Sequence, residues 1–532
     1  AQAVSSQLVP LRKTSGNIRL AAPSEQLARA MARSVWCLLP LIVNVPVLVT
    51  LFARTSSAGL PGVLRYLRGP ASPANPERSG VYQSWMRQGM RVFVFDAASL
   101  RPVARELFGE KSWWNTYEAW ASAPATFPNQ TADDPESPGA FFHSALRPAL
   151  EAHAPRIQFV GSPEDADLVF WNIWDVALCV ASGHRPQAWE FQKGRLTTSC
   201  KAHFDLLAWL QSTPRWRRNH GRDHVLFADN PYSWESYRTF KKRAGTGRFA
   251  LPPTVPLVRE VMRITRNATL IGIEDRRSRG HRGGSSFVAV PYFANATKYR
   301  APARQERGRL VGLAASSELH AHPTCEVCAE LPHGPSELRA RIFDDLSAGC
   351  AQGECEVYDL SKVISPAQRD NMSFYASVGV NLDEVVHHAI FCPIPRGDSG
   401  CTKRFFAAIL GGCIPVVLSD VLVLPFASVV DYRGAMLRIP EAQLMSPDFS
   451  LIAFLRSQTP QQIATMQGNL EHIAQSITYR ARRGVSSSPT PDAMDVLIAS
   501  LVHLAHHPGA SLGVTAAELY RGEIAVEATP VF

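Results

Sequence analysis

Residues 389–419 constrain the fold more than any other part of this chain, because two apolar runs of strand length flank a turn and a short helical pattern there. The first run covers residues 389–394, and the second, which is β-branched, covers residues 414–419. Residues 395–401 carry turn-forming proline and glycine, and residues 402–411 have helical character. Strand, helix and strand in this order predict a parallel βαβ unit.

The loop that leaves the first strand feeds the amino terminus of the helix, where unpaired N–H groups and the helix dipole favour an anion. Lys403 and Arg404 lie in that first turn, and an arginine can hold phosphate oxygens bidentately. Together with the loop N–H groups near Gly397 and Ser399, these cations predict a diphosphate-binding site. The alternative is that both cations are solvated, or that Arg404 pairs with Asp398.

Length and charge narrow the classes of protein that fit. The chain has 532 residues, which is too long for one ordinary domain and indicates two or three. Its net charge is +9, but the basic residues are scattered or form short clusters such as residues 276–279 and 480–483. No groove-reading motif accompanies them, so we predict no nucleic-acid partner. The mildly basic surface suits anionic small molecules or a nearby membrane.

Residues 34–53 form a stretch of twenty residues without a charged side chain, close to the length that a helix needs to span a bilayer. Basic residues precede the stretch at Arg12, Lys13, Arg19, Arg29 and Arg33. By the positive-inside rule, this pattern predicts a single-pass signal anchor with residues 1–33 in the cytoplasm and the large C-terminal part in a lumen. A cleaved signal peptide and a buried helix are the alternatives. Residues 54–90, rich in Pro, Gly, Ser and Arg over residues 58–80, would form a stem.

Glycosylation sequons and cysteines also fit a secretory compartment. Predicted glycosylation sites occur at Asn129, Asn267, Asn295 and Asn371. Two of the cysteines, Cys325 and Cys328, follow His320 and His322, a spacing that resembles a zinc cluster. Because Cys350 and Cys355 lie nearby and a lumen is oxidising, disulfides are the favoured interpretation.

Short apolar runs predict the remaining strands of an α/β fold. A strand is expected at residues 91–95, and two more at residues 157–160 and 168–171 flank a short helix with Ser162 as its N-cap and Pro163 as its first residue. Further strands are expected at residues 225–227 and 287–291.

The domain boundaries follow from these runs. We predict an N-terminal domain over residues 91–300 and a C-terminal domain over residues 301–480, which closes with a helix that begins after Thr459. Residues 481–532 would form a basic, Ser/Pro-rich linker and a C-terminal extension with one helix at residues 493–506.

Several separated segments, in this order, resemble the exostosin-type glycosyltransferase family, and most of all its plant and algal branch. They are RVFVFD from Arg91, SPEDADLVFW from Ser162, PRWRRNHGRDHVLF from Pro214, VPY from Val290 and FCPIPRGDSGCTKRFFAAILGGCIPVVLSDVLVLPF from Phe391. The resemblance covers roughly residues 91–477. It implies a Golgi type II membrane protein with two Rossmann-like domains that face each other across a cleft, the GT-B architecture.

The resemblance also implies an activity, the inverting transfer of a sugar from a nucleotide-diphosphate donor to a glycan or glycoprotein acceptor in the Golgi lumen. The C-terminal domain would hold the donor mainly, through Gly397, Asp398, Ser399, Lys403 and Arg404. The alternative is a partner subunit with weak or no activity in a homo- or hetero-oligomer. An α/β oxidoreductase is disfavoured, because neither βαβ block has the Gly-x-Gly-x-x-Gly spacing.

One departure from the family pattern concerns Ala407, at a position where the helix usually carries Glu or Asp three residues after the arginine. A carboxylate there typically accepts hydrogen bonds from ribose hydroxyls, so its loss supports the partner-subunit alternative, and Asp398 is a candidate substitute. No Asp-x-Asp motif lies in an apolar-strand context, and Asp165-Ala166-Asp167 falls in the family's non-metal acidic segment. We therefore expect no cofactor and no required divalent metal.

The expected reaction needs a base on the acceptor hydroxyl and positive charge on the leaving diphosphate. Asp223 and His224, in a loop before an apolar strand of the N-terminal domain, are the catalytic candidates. Histidine suits a base because its pKa lies near neutral pH. The alternative is that the two side chains pair with each other and only fix the loop.

Overall fold

The computed structural model describes most of the chain from Glu77 onwards. The described residues are 77–122, 138–174, 177–178, 181–182, 201–227, 241–242, 249–250, 266–273, 286–292, 307–319, 325–363, 382–397, 399–479, 491–510 and 512–521. They form two parallel β-sheets with helices on their faces.

The N-terminal sheet has six strands in the described part, and every pairing in it is parallel. The strands are β1 (Met90–Phe95), β2 (Ile157–Phe159), β3 (Leu168–Trp171), β4 (His224–Phe227), β5 (Thr269–Gly272) and β6 (Phe287–Ala289). Their order across the sheet is β2-β1-β3-β4-β5-β6. All residues of β3 and β4 are buried, as expected for parallel strands that are covered on both faces.

The second sheet repeats this topology with five strands, again all parallel. They are β7 (Arg309–Ala315), β8 (Cys355–Asp359), β9 (Ala389–Ile394), β10 (Ile414–Val417) and β11 (Leu437–Arg438). Their order is β8-β7-β9-β10-β11, so each sheet reverses its direction of winding beside its first strand. Ligands of open α/β sheets bind at such a reversal, outside the carboxyl ends of the strands.

Helices cover both sheets. Those of the N-terminal half are α1 (Glu77–Gln88), α2 (Arg101–Phe108), α3 (Ser112–Ser122), α4 (Pro138–Glu151), α5 (Lys201–Ser212) and α6 (Pro214–Asn219). Those that follow are α7 (Glu326–Ala329), α8 (Pro335–Gly349), α9 (Leu360–Val363), α10 (Leu382–His388), α11 (Lys403–Leu410), α12 (Glu441–Leu444), α13 (Leu451–Arg456), α14 (Pro460–Ser476), α15 (Ala493–His506) and α16 (Ala516–Arg521). The short antiparallel ladders are Val423–Leu424 with Val514–Thr515, and Lys241–Lys242 with Phe249–Ala250.

The predicted helix starts are confirmed. Ser162 accepts a hydrogen bond from the N–H of Glu164 at 3.2 Å and begins a 3₁₀ turn, Pro163–Asp165, rather than an α-helix. The Thr459 hydroxyl caps α14, which begins at Pro460. In both places a hydroxyl takes one of the N–H groups that a helix start leaves unpaired, and proline stands where no N–H is needed.

The helix predicted at residues 493–506 is present, but it belongs to the core rather than to an extension. It packs against α1, with the Trp85 and His503 rings stacked at 4.2 Å. His153 Nε2 lies 3.0 Å from Asp495, and His506 Nε2 lies 2.8 Å from the carbonyl of Gly89. The predicted stem, residues 54–90, therefore contains a packed helix, and the predicted extension, residues 481–532, contains another.

One hydrophobic core runs through both halves of the described structure. It includes Val92, Phe170 and Val225 of the N-terminal sheet together with Val311 and Phe391 of the second sheet. Burial of these apolar side chains, at about 25 cal/mol per Å², is the main force that holds the two sheets together.

Disulfides are confirmed for the cysteine cluster, since Cys325 pairs with Cys328, and Cys350 with Cys355. His320 and His322 lie outside the described residues. A third disulfide joins Cys392 of β9 to Cys413, the residue that precedes β10.

Two predictions about membranes and glycans fall largely outside the described residues. Residues 34–53 are among those not described, and no helix of the described part combines the length and the apolar character needed to cross a bilayer. Of the sequons, Asn267 lies half-buried just before β5, whereas Asn129, Asn295 and Asn371 lie outside the described residues.

Candidate functional site

The predicted donor loop follows β9 and leads into α11. The structure brings Gly397 and Ser399 of the loop together with Lys403 and Arg404 of the first helical turn, while Asp398 lies outside the described residues. The strand and helix limits predicted for this segment are confirmed to within one or two residues. Thr402 caps the helix, because its hydroxyl accepts a hydrogen bond from the N–H of Arg404 at 3.4 Å.

The amino end of α11 lies against the carboxyl edge of the N-terminal sheet. Tyr292 follows β6 at that edge, and the Nζ of the exposed residue Lys403 lies 5.5 Å from the centroid of its ring. The rings of Tyr292 and Phe406 are 5.9 Å apart. The carboxyl ends of the two parallel sheets therefore face each other around this helix, which is where the resemblance places a cleft.

The loop between β9 and α11 is tightly packed. A Cβ atom on Gly400 would lie 2.5 Å from the carbonyl oxygen of Val421, so only glycine fits there without a shift of the backbone. The disulfide between Cys392 and Cys413 closes the segment around the loop and the helix. Packing at Gly400 and the covalent bond between Cys392 and Cys413 therefore restrain the described residues around the predicted donor loop.

A buried arginine, Arg339 of α8, links the carboxyl ends of β7 and β9. Its Nε and Nη2 donate to the carbonyl of Arg396 at 3.2 and 2.9 Å, and its Nη1 donates to the carbonyl of Ser316 at 2.8 Å. These two carbonyls lie where the second sheet reverses its winding. Arg339 therefore fixes the spacing of the crevice in which a ligand of such a sheet is expected.

Arg396, the second residue of the predicted donor loop, carries a buried charge. Its side chain is 1% exposed, and its Nε lies 3.6 Å from the Glu441 carboxylate, which is also 1% exposed. Its guanidinium donates to the carbonyls of Cys328 and His333. A buried charge requires such partners, because water no longer solvates it.

Asp420 and Arg438 extend this network toward the surface. The backbone N–H of Asp420 donates to Glu441 at 3.3 Å, and Arg438 Nη2 lies 2.6 Å from the Asp420 carboxylate. Burial raises the pKa of Glu441 to about 7, although the charge of Arg396 opposes this shift.

The network gives a stability that depends on pH. The folded chain holds a proton on Glu441 that the unfolded chain, with a carboxyl pKa near 4.5, has already released. Unfolding is therefore favoured as pH rises from about 4.5 to about 7, and we expect this group to lower the free energy of unfolding by about 3 kcal/mol over that window. In urea titrations at several pH values, Glu441→Gln should flatten this part of the curve, and an unchanged slope would contradict the assignment.

Sequence reasoning did not identify Arg339, Arg396 or Glu441. The only local signal was that Arg396 stands directly after an apolar strand and before a glycine. The partners come from distant parts of the chain, so their convergence is a property of the tertiary structure.

Asp223 and His224 lie at the edge of the N-terminal sheet opposite to the one that meets the predicted donor segment. His224 is the first residue of β4, so it lies at the amino edge of the N-terminal sheet, whereas Tyr292 and α11 meet at the carboxyl edge. His224 is 1% exposed, and the Trp216 ring packs against its imidazole at 4.6 Å. This placement favours the alternative in which the pair fixes a loop.

The contacts of Asp223 fit that structural role. Its carboxylate lies 2.8 Å from His224 Nδ1, accepts a hydrogen bond from Asn219 at 2.5 Å and forms an ion pair with Arg215 at 2.5 Å. Burial alone would raise the pKa of Asp223, but the hydrogen bonds from His224 and Asn219 and the charge of Arg215 together lower it. The carboxylate therefore stays ionised and joins α6 to the start of β4.

We accordingly expect His224→Ala to lower the free energy of unfolding by about 1–2 kcal/mol, because Asp223 loses a buried hydrogen bond. Turnover by the remaining folded protein should be nearly unchanged. Urea unfolding and steady-state kinetics on the same sample measure both. A stable variant whose turnover falls by about 10²–10⁴ would instead identify His224 as the general base.

Two further predicted positions have defined surroundings. Ala407 is buried in α11 with 7% of it exposed, and its methyl group offers no acceptor to a ribose hydroxyl. In the acidic segment, Asp165 ends the 3₁₀ turn, and Asp167 lies 2.7 Å from Arg91 Nη2. Among the described residues, no group of three or more His, Cys, Asp or Glu side chains could hold a metal ion.

The part of the chain that contains both sheets is similar to known proteins. The Exostosin GT47 domain matches residues 88–454. The chain is 23% identical over 342 residues to the probable arabinosyltransferase ARAD1 of Arabidopsis thaliana, covering 64% of this chain and 63% of that protein. It is 25% identical over 303 residues to the probable xyloglucan galactosyltransferase GT13 of the same plant, covering 56% of this chain and 58% of that protein.

A shorter match reaches animal proteins. The Exostosin-1 homolog of Caenorhabditis elegans is 36% identical over 64 residues, or 12% of this chain and 17% of that protein. The chain thus spans less than two thirds of the length of each of these relatives. Among solved structures, Anabaena HepE in complex with UDP is similar with a TM-score of 0.29 and 10% identity, covering 68% of this chain and 89% of that one.

Proposed function

The chain belongs to the exostosin GT47 family, and from this premise we propose that it is a glycosyltransferase that transfers a sugar from a nucleotide-diphosphate donor to a glycan or glycoprotein acceptor. Two of its plant relatives are named as an arabinosyltransferase and a galactosyltransferase. These names favour a pentose or a hexose as the transferred sugar.

The observation that carries the proposal is the position of α11. Its amino end brings Lys403 and Arg404 to the junction at which Tyr292 reaches across from the opposite sheet. A donor diphosphate at this helix end would meet both cations and the positive end of the helix dipole. Its sugar would then point toward the N-terminal half, where an acceptor can approach.

The proposed chemistry is displacement at the anomeric carbon with inversion. The acceptor hydroxyl loses its proton to a base as the new C–O bond forms, and the bond to the diphosphate breaks. Negative charge grows on the leaving diphosphate, and preorganised cations stabilise it more in the transition state than in the ground state. Lys403, Arg404 and the loop N–H groups near Gly397 and Ser399 would supply that stabilisation.

We also propose that the reaction takes place in the Golgi lumen, with residues 34–53 as a single-pass anchor and residues 1–33 in the cytoplasm. The uncharged stretch and the four sequons support this topology. Protease added outside sealed microsomes should leave the large C-terminal part intact, and its digestion would overturn the topology.

A second candidate function is a partner subunit with weak or no activity, in a homo- or hetero-oligomer with an active transferase. Ala407 favours it, because the family carboxylate that would hold the ribose is replaced by a buried methyl group. Such a subunit would still present Lys403 and Arg404 at the helix end.

The experiment that separates the two functions is a titration of the full chain with a panel of nucleoside diphosphates and diphosphate sugars, followed by an assay for sugar hydrolysis or transfer. A transferase should bind one nucleotide class and turn over its sugar. Nucleotide binding without turnover of any donor would favour the partner subunit, and the absence of nucleotide binding would contradict both proposals.

A further inference from the structure

A cavity of about 430 Å³ opens at the amino edge of the second sheet, within the range of about 300–1,000 Å³ that small-molecule sites have. Arg309 begins β7, Cys355 begins β8 and His388 directly precedes β9, and all three line the cavity. The β8 residues Glu356 and Tyr358 also line it. The amino end of α11 lies at the opposite edge, about 20 Å away across the six residues of β9. The cavity is therefore separate from the predicted donor site.

The cavity lies between β8 and α10 because α10 covers β7 and leaves β8 partly uncovered. A Cβ atom on Gly312 of β7 would lie 2.5 Å from the carbonyl oxygen of Val385, so α10 packs closely on the β7 backbone. Residues 311–315 of β7 are buried, whereas every residue of β8, the outermost strand of the described sheet, is partly exposed. The side chains of β8 therefore border open space beside the end of α10.

Covalent and polar contacts fix the walls of this cavity. Cys355 forms a disulfide with Cys350, the residue after α8. Arg309 Nη1 donates to the carbonyl of Gly353, in the turn before β8. Gly353 has a φ of 78°, a left-handed conformation that favours glycine. A site that is formed before its ligand arrives loses less conformational entropy on binding.

The polar groups of the cavity suit a neutral ligand with several hydroxyl groups. The Tyr358 hydroxyl donates to the Glu356 carboxylate at 3.3 Å. Burial raises the pKa of Tyr358, the charges of Glu356 and Glu384 raise it further, and the charge of Arg309 opposes them. Two carboxylates and one guanidinium therefore act on this hydroxyl, so a phosphate or another anion would be repelled on balance.

We propose that this cavity binds a sugar residue of a neutral glycan, at a second site apart from the place of transfer. Sugar hydroxyls can donate to the Glu356 carboxylate and accept from the Arg309 guanidinium, and the apolar face of a sugar ring can pack on Tyr358. The inference rests on the proposed function, in which a glycan is the acceptor, and adds a site that holds the acceptor chain at a distance from the reaction.

A second site changes how the acceptor is captured. A long chain can contact this cavity and the transfer site together, so the first contact raises the effective concentration of the chain at the second. A short acceptor can occupy only one of them. Substitutions in the cavity should therefore raise KM for a long acceptor, while kcat and the KM for a short acceptor stay nearly unchanged.

The binding test uses the full chain, immobilised neutral xyloglucan and arabinan oligosaccharides, and UDP as the donor-side probe. We expect the parent to bind at least one of these glycans. Tyr358→Ala removes the aromatic face and should weaken that binding at least about tenfold, while the affinity for UDP stays within about twofold. Tyr358→Phe keeps the ring and should stay within about threefold of the parent.

Glu356→Gln tests the polar half of the site without removing the ring, and it carries the test if Tyr358→Ala does not fold. It replaces a charge-assisted acceptor with a neutral one, so glycan binding should fall by about fivefold or more. The matched control is Glu354→Gln, because Glu354 pairs with Arg456 at 2.6 Å and does not line the cavity. The control should bind glycan as the parent does. A melting curve of each variant shows that the compared proteins are folded.

Two results would overturn the proposal. One is glycan binding that Glu356→Gln and every folded Tyr358 variant leave unchanged, and the other is a parent that binds UDP but none of the glycans. The proposed function would survive either result if transfer to a soluble acceptor were still detected. A parent that binds neither probe would contradict the proposed function itself.

Discussion

Replacing Arg396 with methionine is expected to lower the free energy of unfolding by about 3–5 kcal/mol at pH 8. The substitution leaves the Glu441 carboxylate, which is 1% exposed, without its cation at 3.6 Å. It also removes the donor to the carbonyls of Cys328 and His333. Urea unfolding followed by circular dichroism measures the loss.

The loss should shrink at pH 5, and this dependence identifies its cause. With Arg396 absent, Glu441 can become neutral by binding a proton, and burial already raises its pKa to about 7 in the parent. The double variant Arg396→Met with Glu441→Gln should recover much of the stability at pH 8, because no unpaired charge remains buried. A loss that is equal at both pH values would show that the charge of Glu441 is not its source.

A matched control comes from a partly exposed arginine of the same half. Arg433 lies 3.0 Å from Asp431, and 38% of its side chain is exposed. Because water solvates both groups of such a pair, Arg433→Met should cost at most about 1 kcal/mol.

Arg404→Ala is expected to weaken nucleotide binding by about 1.5–3 kcal/mol, which corresponds to roughly 10- to 150-fold in Kd. The guanidinium would lose its charge-assisted grip on the donor diphosphate. Folding should suffer little, because a cation in the first turn of α11 opposes the helix dipole, an effect worth about 0.3–1 kcal/mol. Calorimetric titration with uridine or guanosine diphosphate, together with a melting curve of the unliganded protein, measures both quantities.

The control for this prediction is Arg456→Ala. Arg456 lies at the end of α13, and its Nη2 is 2.6 Å from Glu354. Its loss should leave nucleotide affinity unchanged. If Arg404→Ala binds nucleotide as the parent does, or simply unfolds, Arg404 is a structural residue and the donor site lies elsewhere.

Local sequence patterns predicted residues 389–419 well, because the residues that end the strand and begin the helix lie next to those elements in the chain. Proline and glycine end the apolar run of β9, Thr402 caps α11, and each of these signals acts within a few residues of the chain. The same holds for the start of α14, where Thr459 and Pro460 stand at the predicted positions.

The buried charges could not be predicted in the same way. Arg396 meets Glu441, which follows it by 45 positions in the sequence, and Arg339 donates to its carbonyl from 57 positions before it. Local sequence periodicity does not indicate which polar residues from distant parts of the chain will contact each other in the folded protein. The burial of α15 could not be predicted either. This helix has no amphipathic pattern, because it is buried on nearly every side between α1 and the main core.

The Asp223–His224 prediction could have been refined from the sequence alone. Both residues stand before their strand, and in a parallel sheet the residues that precede strands gather at the amino edge. Ligands of such sheets bind at the carboxyl edge.

The packing of α15 against α1 also determines when this protein can fold during its synthesis. The helix that covers Trp85 is translated roughly 400 residues after it, so a ribosome working at roughly 5–20 residues per second supplies it about 20–80 s later. For that interval Trp85 of the nascent N-terminal half lacks the His503 ring that stacks on it. The packing around Trp85 can therefore be completed only after α15 has left the ribosome.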